Sequence, residues 1–285
     1  MRFTALSFLL FAVALAGCRQ SSPSVGTRIA TTTSYLEAAA HDLLGDDVGV
    51  LRLAEPGTCP GHFDIRPSQV QELRRCRALL RFDFQKSLDA KFASSGTNGP
   101  AVAEIALRSG MCVPESYLSA CRQTADHLVT LGLLTRTNAD ARLQSVVARL
   151  DALTRDATNR VAQAGLRGIP VIASGHQRDF CEWLGLKVVA TFRAADTASV
   201  GEIEAAIDAG TLGQVKLVIA NLPEGRRTAD ALAGRLKARV AVFENFPALQ
   251  SGRVSFDAML NANVEAFLQA SRQSVGIKPG ETSNR

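Results

Sequence analysis

Hydrophobic positions between residues 138 and 166 recur with the spacing of one long amphipathic helix. They follow the i, i+3, i+4, i+7 rule that places apolar side chains on one helix face. The positions are Leu143, Val146, Val147, Leu150, Leu153, Ala157, Val161 and Ala164. Asn138 can cap the start, and Gly165, Gly168 and Pro170 provide a stop. At roughly 1.5 Å per residue this helix is about 40 Å long, so we predict that it runs along two lobes rather than packing on one domain.

Short apolar runs alternate with helical patterns on both sides of this helix. The strand candidates are residues 28–33, 48–53, 77–82 and 101–105 in the first half, and 169–173, 187–192, 215–220 and 239–243 in the second. The helix candidates are 35–44, 67–75, 85–92, 114–131, 177–184, 200–209, 226–236 and 256–271. Strand–helix–strand units at this spacing form parallel sheets. The sequence therefore predicts an α/β fold with two small parallel-sheet lobes, joined by one long helix, and a ligand cleft between the lobes.

The amino-terminal segment has the pattern of a secretory signal. Arg2 precedes an apolar run over residues 3–15, and small residues lead to Cys18. Residues 15–18, Leu-Ala-Gly-Cys, resemble the lipobox of bacterial lipoproteins. That resemblance implies cleavage before Cys18, acylation of this residue, and a protein held by lipid in the periplasm or on the outer face of the cell membrane. A plain signal peptide with a chance cysteine is the alternative.

The predicted division of the chain follows these patterns. We expect a signal peptide at 1–17, a lipidated tether at 18–26, an N-terminal lobe at 27–137, the linking helix at 138–167, a C-terminal lobe at 168–276 and a polar tail at 277–285. The chain is 46% hydrophobic and 21% charged, which suits a globular protein with two modest domains. Its net charge of +5 is spread without a basic block. We therefore expect no nucleic-acid binding, and we expect a monomer.

Candidate metal-binding side chains lie in the loops that follow the predicted strands. Ligands of open parallel sheets bind beyond the carboxyl ends of the strands. Imidazole and thiolate suit Zn²⁺ or copper better than Ca²⁺ or Mg²⁺. We predict a zinc site, with copper as the alternative, and its candidate ligands are Cys59, His62, Cys112, His176 and Cys181. The residues predicted to orient a ligand or to replace one are Asp64, Asn221, Glu224 and Glu244, although acidic loop residues are often simply solvated.

Several segments together resemble a known family. They are the lipobox, the Pro56-Gly57 turn, Phe63 followed by Pro67-Ser68, Pro114-Glu115-Ser116 opening a helix, and His176 before a helix that ends at Gly185-Leu186. In this order they resemble the metal-binding solute receptors of zinc and manganese ABC transporters. The resemblance implies two pseudo-symmetric lobes on a rigid helix, with a metal in the cleft that is delivered to a permease in the membrane.

The ligand positions depart from that family. The first of its usual histidines falls on Gly61, and His62 lies one place later. The second falls on Ser109, and Cys112 lies nearby. The third falls on His176. Its usual carboxylate falls on Asn221, with Glu224 close by. The resemblance therefore carries over only His176 without a shift.

The cysteines leave alternatives open. Disulfides form outside the cytoplasm, so Cys76 and Cys121 are expected either as a pair or as small buried residues, and a bridge from Cys59 to Cys112 is also possible. A receptor of the same fold, stapled by disulfides and specific for an organic ligand or metal chelate, is the main alternative function. An enzyme with Cys59 as nucleophile and His62 or His176 as base is not expected, because no oxyanion-hole elbow accompanies it.

Overall fold

The computed structural model describes residues 28–46, 48–56, 65–93, 99–107 and 110–274. Its first half alternates strands and helices as the sequence predicts. The elements are β1 (Arg28–Thr31), α1 (Ser34–Leu44), β2 (Gly49–Arg52), α2 (Pro67–Leu73), β3 (Ala78–Phe82), α3 (Leu88–Ala93), β4 (Ala101–Ile105), α4 (Pro114–Thr130) and α5 (Arg136–Gln163).

The second half repeats the alternation. The elements are β5 (Pro170–Ser174), α6 (Arg178–Trp183), β6 (Lys187–Phe192), α7 (Val200–Leu212), β7 (Leu217–Asn221), α8 (Arg227–Leu236), β8 (Arg239–Phe243), β9 (Leu249–Gln250), β10 (Arg253–Val254) and α9 (Phe256–Ser274). Short 3₁₀ turns at Asp83–Gln85, Gly175–Gln177 and Leu222–Glu224 follow β3, β5 and β7. The antiparallel hairpin β9–β10 was not predicted.

The two main sheets have the same topology. Each has four parallel strands, in the orders β2-β1-β3-β4 and β6-β5-β7-β8. The predicted fold class is thereby confirmed. In each sheet the chain reverses its direction of strand addition between the two central strands, which are β1 and β3 in one lobe and β5 and β7 in the other. Such a switch point opens a crevice at the carboxyl ends of the strands.

The long helix α5 begins earlier than predicted. Thr135 caps it, and its side chain accepts a hydrogen bond from the Asn138 N–H at 3.3 Å, so Asn138 is not the cap. A threonine with extended backbone angles can accept this bond and satisfy an otherwise unpaired donor of the first turn. The helix has 28 residues and packs on α1 and α4 of the first lobe and on α9 of the second. It therefore contacts both lobes.

The largest hydrophobic cluster also joins the lobes. Phe256, the first residue of α9, is fully buried against the first lobe. Its ring stacks on Tyr117 with centroids 4.2 Å apart and meets the edge of Tyr35 at 6.0 Å. Two smaller clusters cover the outer faces of the two sheets. In the described part of the chain, no helix combines the length and apolar character that a membrane span requires.

Candidate functional site

The carboxyl ends of β5 and β7 bring an imidazole and a carboxylate together. His176 lies in the 3₁₀ turn after β5, and Glu224 lies in the 3₁₀ turn after β7. The Nε2 atom of His176 is 3.6 Å from Oε1 of Glu224, and their side chains are 67% and 19% exposed. This pair therefore lies at the switch point of the second sheet, where a ligand crevice is expected, and it is accessible from solvent.

Ser174 holds both members of the pair. Its hydroxyl donates a hydrogen bond to Oε2 of Glu224 at 2.5 Å and accepts one from the backbone N–H of His176 at 3.3 Å. Ser174 is fully buried at the end of β5. The hydroxyl hydrogen is thus committed to one carboxylate oxygen, which leaves Oε1 of Glu224 directed towards the imidazole.

The first lobe contains an uncharged copy of this hydrogen bond. Counting along the matching registers of the two sheets, Thr32 corresponds to Ser174 and Gln85 corresponds to Glu224. The Thr32 hydroxyl donates to Oε1 of Gln85 at 2.6 Å. An amide therefore suffices to close this turn, and the structural role of the position does not require a negative charge. The carboxylate of Glu224 is an addition specific to the second lobe.

A network of three buried amides includes the last residue of the histidine turn. Gln177 follows His176, and its Nε2 donates to Oδ1 of Asn221 at 3.0 Å and to Oδ1 of Asn245 at 2.7 Å. All three side chains are buried. Asn221, at the family's usual carboxylate position, therefore uses its amide oxygen as an internal acceptor, and this network orients the turn that carries His176.

Cys112 connects the lobes through hydrogen bonds. It lies just before α4, and its buried thiol donates a hydrogen bond to the backbone oxygen of Glu244 at 2.8 Å. The Oδ1 atom of Asn245 is a second acceptor, 3.3 Å from the sulfur. The Nδ2 group of Asn263 donates to the sulfur at 3.5 Å. Burial raises the pKa of the Cys112 thiol far above its usual range. The structure therefore favours a protonated thiol that serves as a donor between the lobes.

The other described cysteines are buried as well. Cys76, Cys112, Cys121 and Cys181 all carry free thiols, so Cys76 and Cys121 behave as small buried residues and do not form a pair. Burial also raises the pKa of Cys181, which is fully inaccessible on α6. Metal ligation and nucleophilic attack both use the thiolate, which burial of this kind disfavours.

Several predicted site residues fall in other parts of the sequence. Cys18, Cys59, His62 and Asp64 lie outside the described residues. Over the ranges that the structure covers, no three histidine, cysteine, aspartate or glutamate side chains are grouped closely enough to hold an ion. His176 and Glu224 are therefore the predicted site residues that this part of the chain brings together in the crevice.

Comparison with protein families identifies the fold and its setting. The model of the ZnuA family, described as the periplasmic component A of zinc-uptake complexes, matches residues 29–270. The chain belongs to this family. The resemblance noted from the sequence is thereby confirmed, and members of the ZnuA family are periplasmic metal-binding transport proteins. A comparison with curated protein sequences finds no match.

Solved structures of ZnuA-like proteins have the same fold. A zinc-bound deletion mutant of ZnuA shares 17% identity over 86% of this chain and 98% of its own, with a TM-score of 0.70. A manganese-bound mutant of a periplasmic metal-binding protein from Candidatus Liberibacter asiaticus shares 11% identity over 85% and 98% of the two chains, with a TM-score of 0.71. The cadmium-bound form of that protein is similar at 10% identity over 85% and 98%, with a TM-score of 0.70. At these identities the likeness establishes the fold alone.

The sequence analysis of this ZnuA-family chain did not identify some of the residues that shape the crevice. Ser174, Gln177, Asn245 and Asn263 were not predicted as site residues, although each contacts a turn at the carboxyl end of a strand. A signal was available for two of them. Ser174 and Asn245 end or closely follow predicted apolar strands, which is where a parallel sheet places its functional polar groups.

Glu244 provides a test of the electrostatics at this edge. Its carboxylate is half-buried after β8, and desolvation raises its pKa. A raised folded-state pKa means that the native state loses stability as pH rises from below the unfolded value to above the folded one. We expect Glu244→Gln to raise the free energy of unfolding of the metal-free protein at pH 7 by less than about 1 kcal/mol. Urea titrations should show the difference disappearing towards pH 4, and a gain that persists there would contradict this account.

Proposed function

We propose that this ZnuA-family protein is the extracytoplasmic receptor of an ABC transporter and that it binds a transition metal, with zinc as the cargo. The observation that supports the proposal is the pairing of His176 with Glu224 at the switch point of the second lobe. Imidazole and carboxylate are both zinc ligands, and the crevice at a switch point is where open parallel sheets bind their ligands. The uncharged Gln85 at the equivalent position in the first lobe supports a functional reason for the charge of Glu224.

The remaining donors in this proposal come from the first lobe. Zinc usually takes four protein or water ligands, so two donors from the second lobe leave room for Cys59 and His62, which follow β2 in the sequence. A thiolate and two imidazoles would favour zinc, with copper next, over manganese, which prefers carboxylates. Because of their burial, we assign Cys112 and Cys181 to the packing of the lobes rather than to the metal.

Metal-dependent stability tests the proposed site. In a soluble form lacking the first eighteen residues, Zn²⁺ at a hundredfold excess over Kd should raise the free energy of unfolding by about 2.7 kcal/mol. Glu224→Gln should remove most of this gain while leaving the metal-free stability nearly unchanged, because Gln85 shows that an amide oxygen can accept the hydrogen bond of the equivalent hydroxyl, that of Thr32. His176→Ala should also remove most of the gain.

A matched control separates the site from general histidine binding. His127 lies on α4 of the first lobe, and its Nε2 atom is 3.1 Å from the backbone oxygen of Glu104. His127→Ala should keep the full zinc-dependent gain. Competition among Zn²⁺, Cu⁺ and Mn²⁺, with metal content determined by mass spectrometry, establishes the preference. A full gain in Glu224→Gln and His176→Ala would remove both residues from the site.

The proposed location depends on Cys18. We propose that acylation of this residue anchors the receptor beside its permease, since several acyl chains on one cysteine bind a membrane stably. Cell fractionation should therefore recover the full-length protein with membranes and should recover Cys18→Ala in the soluble fraction. An equal membrane-bound fraction for the two proteins would contradict the lipobox interpretation and leave the metal site unaffected.

A further inference from the structure

A single turn of the first lobe touches the second lobe at two places. The turn contains residues 110–112 and leads into α4. At its start, the backbone N–H of Gly110 donates to Oδ2 of Asp179 at 2.8 Å. At its end, the thiol of Cys112 donates to the backbone oxygen of Glu244 at 2.8 Å. The turn is thus held between α6 and the carboxyl end of β8.

The contact at Gly110 requires the absence of a side chain. A Cβ atom at this position would lie 2.9 Å from Cβ of Asp179 and 3.4 Å from its Oδ2. The first distance is shorter than carbon atoms tolerate, so any larger residue at position 110 must displace α6 or the turn. Glycine at position 110 therefore allows the two lobes to approach more closely here than a residue with a side chain would.

Asp179 links this contact to the histidine turn. It lies in the first turn of α6, three residues after His176 and two after the buried Gln177. Its carboxylate makes a charge-assisted hydrogen bond, which is stronger than a neutral one. The hydrogen bond joins residues of different lobes that are 69 positions apart in the sequence. It therefore depends on the separation of the lobes and not only on the local conformation of α6.

We propose that Gly110 and Asp179 form a latch that fixes the distance between the lobes. Asp179 is then a positioning residue. It holds the first-lobe turn against the segment that carries His176, and it thereby sets the spacing between donors on the two sides of the crevice. The latch itself stands on the contacts above, whereas its effect on metal affinity rests on the proposed function.

A set of substitutions separates this latch from ordinary loop stability. Gly110→Ala introduces the clash and should separate the lobes. Combining it with Asp179→Gly removes the opposing Cβ, so the double variant should be no worse than Asp179→Gly alone. Combining it with Asp179→Ala keeps that Cβ, so this double variant should remain as impaired as Gly110→Ala. Asp179→Asn, which keeps an oxygen acceptor, should be the mildest change.

Two controls match these variants. A Cβ at Gly99 would meet nothing within 4 Å, so Gly99→Ala should behave as wild type. Glu182 is another acid of α6, and it pairs only within the helix with Arg178 among the residues described. Glu182→Ala should therefore leave the lobe separation unchanged.

The first readout needs no metal. Spin labels on a ketone-bearing unnatural amino acid at Arg122 and Glu204, which are exposed in different lobes, report the inter-lobe distance distribution. We expect a longer or broader distribution in Gly110→Ala and in its double variant with Asp179→Ala. A wild-type distribution in Gly110→Ala, or no relief by Asp179→Gly, would overturn the latch.

The second readout is the zinc Kd, measured by competition with a chromophoric chelator. We expect about a tenfold weaker Kd for Gly110→Ala and recovery to the Asp179→Gly value in the double variant with glycine. A changed distance distribution with an unchanged Kd would overturn the link to the metal site while supporting the latch. Failure of the wild-type protein to bind zinc would overturn the proposed function, and the distance measurements would still decide the latch.

Discussion

Truncation of Phe256 to alanine is expected to lower the free energy of unfolding by about 3–5 kcal/mol. This ring is fully buried at the start of α9, where it stacks on Tyr117 and meets the edge of Tyr35 in the first lobe. Its removal leaves a cavity in the core that the lobes share, and the surrounding helices can collapse into it only in part. We therefore expect both lobes to lose stability together.

Urea unfolding followed by two probes tests this expectation. Trp183, the single tryptophan, stacks on Phe180 in the second lobe and reports on that lobe, while far-ultraviolet circular dichroism reports on both. The two transitions should coincide and move together in Phe256→Ala. Phe84→Ala is the control, because Phe84 is 55% exposed and should cost less than about 1.5 kcal/mol. Separate transitions for the two probes would show that the lobes unfold independently.

Arg81→Met is expected to lower the free energy of unfolding by about 2–4 kcal/mol. This is slightly less than the cost of removing one partner of a fully buried ion pair, because the two carboxylates that Arg81 contacts are partly solvated. Arg81 is 3% exposed on β3. Its guanidinium makes two hydrogen bonds of 2.7 Å with the carboxylate of Asp89 and one of 2.8 Å with Glu104. The hydrogen bonds with Asp89 are the main reason that the pKa of Arg81 is raised above the usual value for arginine. The arginine thus ties α3 and the edge strand β4 to the centre of the first sheet.

A surface ion pair provides the comparison for this prediction. Arg136 pairs with Asp126 at 2.8 Å, but the two side chains are 53% and 65% exposed. Arg136→Met should change the free energy of unfolding far less than Arg81→Met does, because solvent screens the pair. Both values can be measured by urea unfolding at the same salt concentration. Equal effects of the two substitutions would mean that burial adds nothing to the Arg81 cluster.

The order of helices and strands was accessible from the sequence because it depends on local patterns. The strands β4, β6 and β8 occupy the predicted residues, because short apolar runs bounded by polar or turn residues are typical of strands. The start of α5 was misplaced because Thr135 and Asn138 are both good capping residues. Only the folded geometry shows that Thr135 has extended backbone angles and that its side chain accepts the hydrogen bond from the Asn138 N–H.

The sequence by itself determined the two-lobed α/β fold, the long helix α5 and the family, and it pointed to His176 and Glu224 as site residues. Only the tertiary structure decided that these two side chains meet, and that buried Ser174 holds them. It also decided that Cys112 and Cys181, which resembled soft ligands in the sequence, are inaccessible. The physical reason is that strand order brings together residues far apart in the chain, such as Ser174 and Glu224 across 50 residues and Cys112 and Glu244 across 132. Residue type and spacing along the chain carry no direct record of that order or of the burial that follows from it.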